Sequence, residues 1–197
     1  MKNYFSNSMV QILENAMDEV ICDENSTTLK NNRRQEKCTS VKTIEEIIEM
    51  YKDSGQLETK YGKKGALGIV TKIGQASHRY FFRLNGYEYN LKNMEYRLMN
   101  SKKRYLFGLE QIAKFVSENS LWKVSIIDKP DNWVWHVNEE SEHSILNDIW
   151  GAFFNGFISE YLLWSSGGRF FVINSELHKY ENTNKYQLTI IKNPLGN

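Results

Sequence analysis

The residues best suited to chemistry gather between positions 128 and 143. Asp128 and Asp131 stand on a turn around Pro130, and His136, Glu139, Glu140, Glu142 and His143 follow. Histidine and carboxylate together can hold a divalent ion or transfer protons. The spacing argues against both. The two histidines are seven apart and so miss the i, i+4 separation of a His-Glu-x-x-His helix. His136 lies between Trp135 and Val137 on an alternating stretch. Three glutamates before a helix are favourable through its dipole alone. No metal site is therefore expected, and a small metal-dependent hydrolase using Asp128, Asp131, His136 and Glu139 stands as a secondary alternative.

Other signatures are weaker still. Gly62-Lys63-Lys64-Gly65-Ala66-Leu67-Gly68 is glycine-rich and basic, but a phosphate loop needs Lys-Ser/Thr opening a helix, and Ile69-Val70-Thr71 reads as a strand. A nucleophile elbow, a cysteine–histidine signature and a dinucleotide fingerprint are all missing. No catalytic residue and no cofactor follow from the sequence.

Charge is more informative. The total is +1, yet residues 1–56 carry −3, residues 57–105 carry +8 and residues 106–197 carry −4. The basic part also holds Tyr61, Tyr80, Phe81, Phe82, Tyr87, Tyr89, Tyr96 and Tyr105. Cations neutralise phosphates and aromatic faces stack on unpaired bases, so this mixture suits nucleic-acid binding. Read as a hairpin about Asn85-Gly86, the segment buries Tyr80, Phe82, Leu84, Tyr87, Tyr89 and Leu91 on one face. Arg79, Phe81, Arg83 and Lys92 then share the other face. Lys63, Lys64, Lys102, Lys103 and Arg104 extend the basic surface. The competing reading is a solvated face paired with acidic helices of the same chain.

The elements that would position these residues are legible in part. Met9, Ile12, Leu13, Ala16, Met17, Val20 and Ile21 repeat at helical spacing behind Ser8. Residues 22–40 are polar and aperiodic and read as a flexible linker, with trypsin expected to cut first near Arg33-Arg34. Val41, Ile44, Ile47, Ile48 and Tyr51 predict a second helix, opened by Thr43 and Glu46. Strands are expected over 66–73, 78–84 and 87–92, with a weaker strand over 94–99. Leu109, Ile112, Ala113 and Val116 mark a short helix. Residues 122–127 and 133–137 pair about the 128–132 turn, a long helix runs from Ile145 to Leu162, and residues 170–174 and 186–192 make a last strand pair.

These elements compose an α+β fold. It has a largely antiparallel sheet built from α-β-β units, helices packed on one face, and an N-terminal helix (1–21) on its linker (22–40). Residues 41–197 form one domain, with a basic part at 57–105 and a core in 106–197, where all five tryptophans lie. Two cysteines are too few for a disulfide framework, the most apolar stretch, Ile145 to Trp164, contains Asp148 and Glu160, and a cytoplasmic location is expected. An excess of Asn, Ile and Lys over Ala and Pro points to a low-GC bacterium or its phage. The functional expectation is a non-catalytic macromolecule-binding accessory protein, such as a phage or mobile-element inhibitor or immunity-type factor. A nucleic-acid-binding module using 57–105 is its alternative. The expected partner is a protein or nucleoprotein, with no membrane and with a homodimer through the N-terminal helix as one route to assembly.

Overall fold

A computed structural model describes residues 4–26, 54–139, 146–179 and 184–195. Helix α1 (Asn7–Ser26) leads to α2 (Ser54–Asn85), the short α3 (Met94–Leu98) and α4 (Ser101–Asn119). Strands β1 (Trp122–Asp128) and β2 (Asn132–Glu139), helix α5 (Asp148–Ser166), and strands β3 (Ile173–Lys179) and β4 (Asn184–Ile191) complete the chain. The sheet is antiparallel throughout, in the order β1-β2-β4-β3. The α+β architecture expected from the sequence is therefore present, with α4-β1-β2 and α5-β3-β4 as its two repeating steps.

The sheet alternates because one face is buried. Trp133, Trp135 and Val137 of β2 oppose Ile190, Leu188 and Tyr186 of β4, and all six are buried. Between them His136 faces outward, opposite Ser125 and Gln187. Helix α5 supplies the other half of this core through Trp150, Phe153, Phe154, Phe157 and Tyr161. Asn147 caps it by accepting from the Ile149 and Trp150 amides. Gly167, left-handed at φ 74°, stops it.

The segment expected to be β is helical, which is the main correction to the sequence reading. Residues 66–73 and 78–84 belong to α2, interrupted only at Gly62 (φ 71°, ψ 162°). Ala66, Ile69, Val70, Ile73, Ala76, Ser77 and Phe81 are buried, and their three- and four-residue steps are those of a helix face. Asn85-Gly86 ends that helix instead of turning a hairpin: the Gly86 amide bonds the Phe82 carbonyl at 3.1 Å. Leu84 and Tyr87, expected in the core, are exposed. Residues 94–98 are also helical and not strand.

Helix α1 lies on α2. Met9, Ile12, Leu13, Ala16 and Met17 are buried to 1% exposure or less within the chain. Ser6 ties its start to Asn119, by backbone at 2.9 Å and by side chain at 2.6 Å. The helix runs on to Ser26, five residues into the expected linker. The remainder of that linker and the helix expected over 41–51 lie outside the described residues. No described helix is long and apolar enough to cross a membrane.

Candidate functional site

The basic residues do not form the shared face that a hairpin would have given them. On α2, Arg79 and Arg83 point outward while Phe81 points into the core, in ring contact with Phe115 (4.6 Å), Tyr89 (5.6 Å) and Phe157 (5.8 Å). Phe81 is thus a core residue and not a surface ring. Arg79 bridges two other helices, at 2.5 Å to Glu19 and 3.1 Å to Glu160. Burial acts against its charge, but those two carboxylates raise its pKa. The Arg83 guanidinium lies 4.6 Å from the Tyr80 ring centre. Lys92 donates to the Arg83 carbonyl at 3.0 Å and sits over Phe82 and Tyr87. Lys63 and Lys64 are exposed on α2, Lys102 and Lys103 are exposed on α4, and Arg104 is half-buried over Tyr105.

The carboxylate–histidine group of residues 128–139 is divided by the sheet. Glu139 is buried and accepts from the Leu146 amide at 3.0 Å, whereas His136 is on the outer face. Asp128 is held by Lys192 at 2.6 Å. His136 has a lowered pKa, first by burial and then by Lys129, Lys185 and His178. Among the described residues no three His, Cys, Asp or Glu side chains come close enough to hold a metal. Glu140, Glu142 and His143 lie outside the described residues.

A different residue stands out. His78 is 2% exposed in the middle of α2, and neither ring nitrogen has a hydrogen-bond partner among the described residues. An unsatisfied buried polar group costs about 1–3 kcal/mol, so this imidazole is an anomaly in an otherwise well-packed helix pair. Five rings surround it, with centroids at 5.6 Å (Phe157), 5.9 Å (Tyr161), 6.3 Å (Phe82 and Trp164) and 6.4 Å (Phe81). Burial, and secondarily the positive charge of Arg79, push its pKa down to about 3. Near neutral pH it is a neutral ring with one donor and one acceptor nitrogen. That makes it an anchor for a hydrogen bond and a poor carrier of protons. At helical spacing Gly74, His78, Phe81 and Phe82 share a stripe, which is the signal that a strand reading of this segment hides.

The cage is closed from below by Tyr161. Its hydroxyl donates toward the carbonyls of Arg104 (2.8 Å) and Tyr105 (3.1 Å) and lies 3.2 Å from the Tyr96 hydroxyl. Burial raises the pKa of Tyr96 to about 12 and also holds that of Tyr161 well above the ordinary phenol value. Gly108 makes room for this hydroxyl: a β-carbon there would sit 1.9 Å from it. Tyr161→Phe should cost about 1–3 kcal/mol, because it removes one partner of a buried pair and leaves the Tyr96 hydroxyl alone. Urea unfolding measures this, and Tyr96→Phe in the same background should then cost much less than it does alone.

No family model and no curated protein matches this sequence. Solved structures do match in fold along almost the whole chain. A substituted Tt H-NOX domain aligns with a TM-score of 0.52 at 12% identity, covering 100% of this chain and 98% of its own. An H-NOX structure concerned with heme distortion in that family gives 0.52 at 12%, covering 95% and 96%. A structure addressing the mechanism of H-NOX activation gives 0.50 at 13%, covering 98% and 99%. At such identities the likeness concerns the fold, and the fold is that of H-NOX domains. It corrects the functional expectation drawn from the sequence. The phage-type inhibitor or immunity factor, the nucleic-acid-binding module and the small metal hydrolase all give way to an architecture whose structural neighbours are H-NOX domains.

Proposed function

We propose that this chain is a sensory domain of the H-NOX fold that works without a heme. The sensory part rests on fold-level likeness, since H-NOX domains are proteins in which activation and heme distortion have been studied. The heme-free part rests on the chain's own interior. Heme iron needs an axial His, Cys, Met or Tyr donor with open space before it.

Among the described residues His78 is the one buried histidine, and five rings crowd it. The Tyr161 hydroxyl is committed to the carbonyls of α4. Phe81 and Phe115 close the gap between α2 and α4 at 4.6 Å. The observation that carries the reading is Tyr161 seated against Gly108: where α5 meets α4, a tyrosine ring fills the interior as far as the α4 backbone. These residues do not fit a heme.

The two helices α2 and α5 would carry the response, since the cage is built from both and Arg79 links both to the neighbouring helix α1 through Glu19 and Glu160. A cytoplasmic location and a protein partner that receives the response belong to the same proposal. Expression of the full chain in cells supplied with a heme precursor tests it. The purified protein is expected to be colourless and free of a Soret band. A stoichiometric Soret band would replace this reading with a heme sensor.

A further inference from the structure

We infer that the aromatic cage around His78 is a binding site for a small, flat, uncharged molecule about the size of an indole ring, carrying a group that hydrogen-bonds the imidazole. The inference rests on the heme-free sensory reading and names what such a domain would receive.

Two observations meet at this site. The imidazole is buried with both nitrogens unpartnered, which is what a site looks like when its polar anchor awaits a ligand. The outer wall of the same cage reaches the surface at one ring. Trp164 is 41% exposed, lies two residues from the end of α5, and is followed by Gly167 and Gly168, both at positive φ. Its ring packs at 4.3 Å on Phe82 and parallel to Tyr96 at 5.8 Å. The inner wall, Phe81, Phe157 and Tyr161, is buried and fixed. If Trp164 swings outward, it vacates a slot of its own shape, bounded by Phe82, Tyr96 and His78. Displacement of a surface ring by a ligand of similar shape is a minor state made dominant by binding.

The chemistry of the walls selects the ligand class. Aromatic faces favour a flat ring by offset or edge contacts. A neutral imidazole offers one acceptor and one donor. A quaternary ammonium ion, which aromatic cages otherwise attract, has no N–H to give the unpartnered imidazole nitrogen and is the wrong guest. A carboxylate would lose its hydration without a paired cation inside the cage.

Indole and indene are the probes, because they share a shape and only indole has an N–H to donate. Binding is read on the full-length protein by calorimetry, and the His78 nitrogens are followed by long-range proton–nitrogen NMR. Indole is expected to bind about tenfold or more tightly than indene and to shift one His78 nitrogen. Trp164→Ala should strengthen indole binding about tenfold by leaving its slot empty, and His78→Phe should remove the preference for indole over indene. The NMR shift on the unaltered protein keeps the test open even if His78→Phe fails to fold.

No binding of either probe to the parent or to Trp164→Ala overturns the site. So does equal binding of both probes, or tighter binding of tetramethylammonium than of indole. None of these outcomes bears on whether the chain takes up heme, so failure of the site and failure of the heme-free reading are separable.

Discussion

Adding one methyl group at Gly74 or Gly156 is expected to destabilise the protein by about 3 kcal/mol or more, the upper end of what overpacking costs. Helices α2 and α5 touch backbone to backbone at these glycines. A β-carbon on Gly74 would lie 2.1 Å from the Phe153 carbonyl oxygen, and one on Gly156 would lie 2.0 Å from the Thr71 carbonyl oxygen. Carbon and carbonyl oxygen rest at about 3.3–3.6 Å, so the helices must part by more than an ångström, and neither obstacle is a side chain that can rotate away. The side chains packed along that crossing, Phe153, Phe157, Ile73 and His78, would lose contact together. For a chain of this size each kcal/mol moves Tm by about 2–4 °C. Thermal unfolding of Gly74→Ala, Gly156→Ala and the double variant checks this. The double variant should cost clearly less than the two single costs added, since one separation relieves both clashes. Strict additivity, or a cost below 1 kcal/mol for either, would mean the helices are not in this contact.

A second large effect concerns acid. His78 titrates near 6.5 in an unfolded chain and at about 3 when folded. Between those values the unfolded state binds a proton that the folded state refuses, so stability falls as pH falls. The contribution is fully present above pH 6.5 and is lost toward pH 3, at up to about 1.4 kcal/mol per pH unit. Between pH 6.5 and 4.5 this amounts to roughly 2–3 kcal/mol. Carboxylates titrate in the same window, so the informative quantity is a difference between proteins. His78→Leu keeps every carboxylate and removes the imidazole. At pH 7.5 it should be as stable as the parent, because an unpartnered polar ring is replaced by an apolar side chain. As pH falls it should gain over the parent by the amount stated. Parallel stability profiles would show that the imidazole is solvated or hydrogen-bonded in solution.

The half of the molecule that reads directly from the sequence is the half with one dominant period. In β2, Trp133, Trp135 and Val137 alternate with Val134, His136 and Asn138. In α5, Ile149, Phe153, Phe157 and Tyr161 recur every fourth residue. Residues 66–92 satisfy two periods at once. Tyr80, Phe82 and Leu84 alternate with Arg79, Phe81 and Arg83, as in a strand, while Ile69, Val70, Ile73, Ser77 and Phe81 step as a helix. Asn85-Gly86 serves either as a hairpin turn or as a helix end. Tertiary packing decides, because only the helix puts Gly74 against Phe153. The error carried Phe81 to the surface and hid His78 in a strand. The cage itself was out of reach of local reasoning: His78 and Phe82 meet Phe157, Tyr161 and Trp164 from a helix about 80 positions away. Segregated charge misled for a related reason. Arg79 is an intramolecular bridge to Glu19 and Glu160, and sequence alone does not show which charges are already paired.

The most direct measurement is a titration of the purified full-length protein with hemin, followed by absorption and by thermal unfolding together. With Tyr161 seated on Gly108 and rings packed around His78, hemin should give only the broad spectrum of free or loosely adsorbed pigment, and Tm should not rise. A sharp Soret band that saturates at one equivalent, with a Tm rising in step as mass action requires of a ligand held by the native state, would contradict the account.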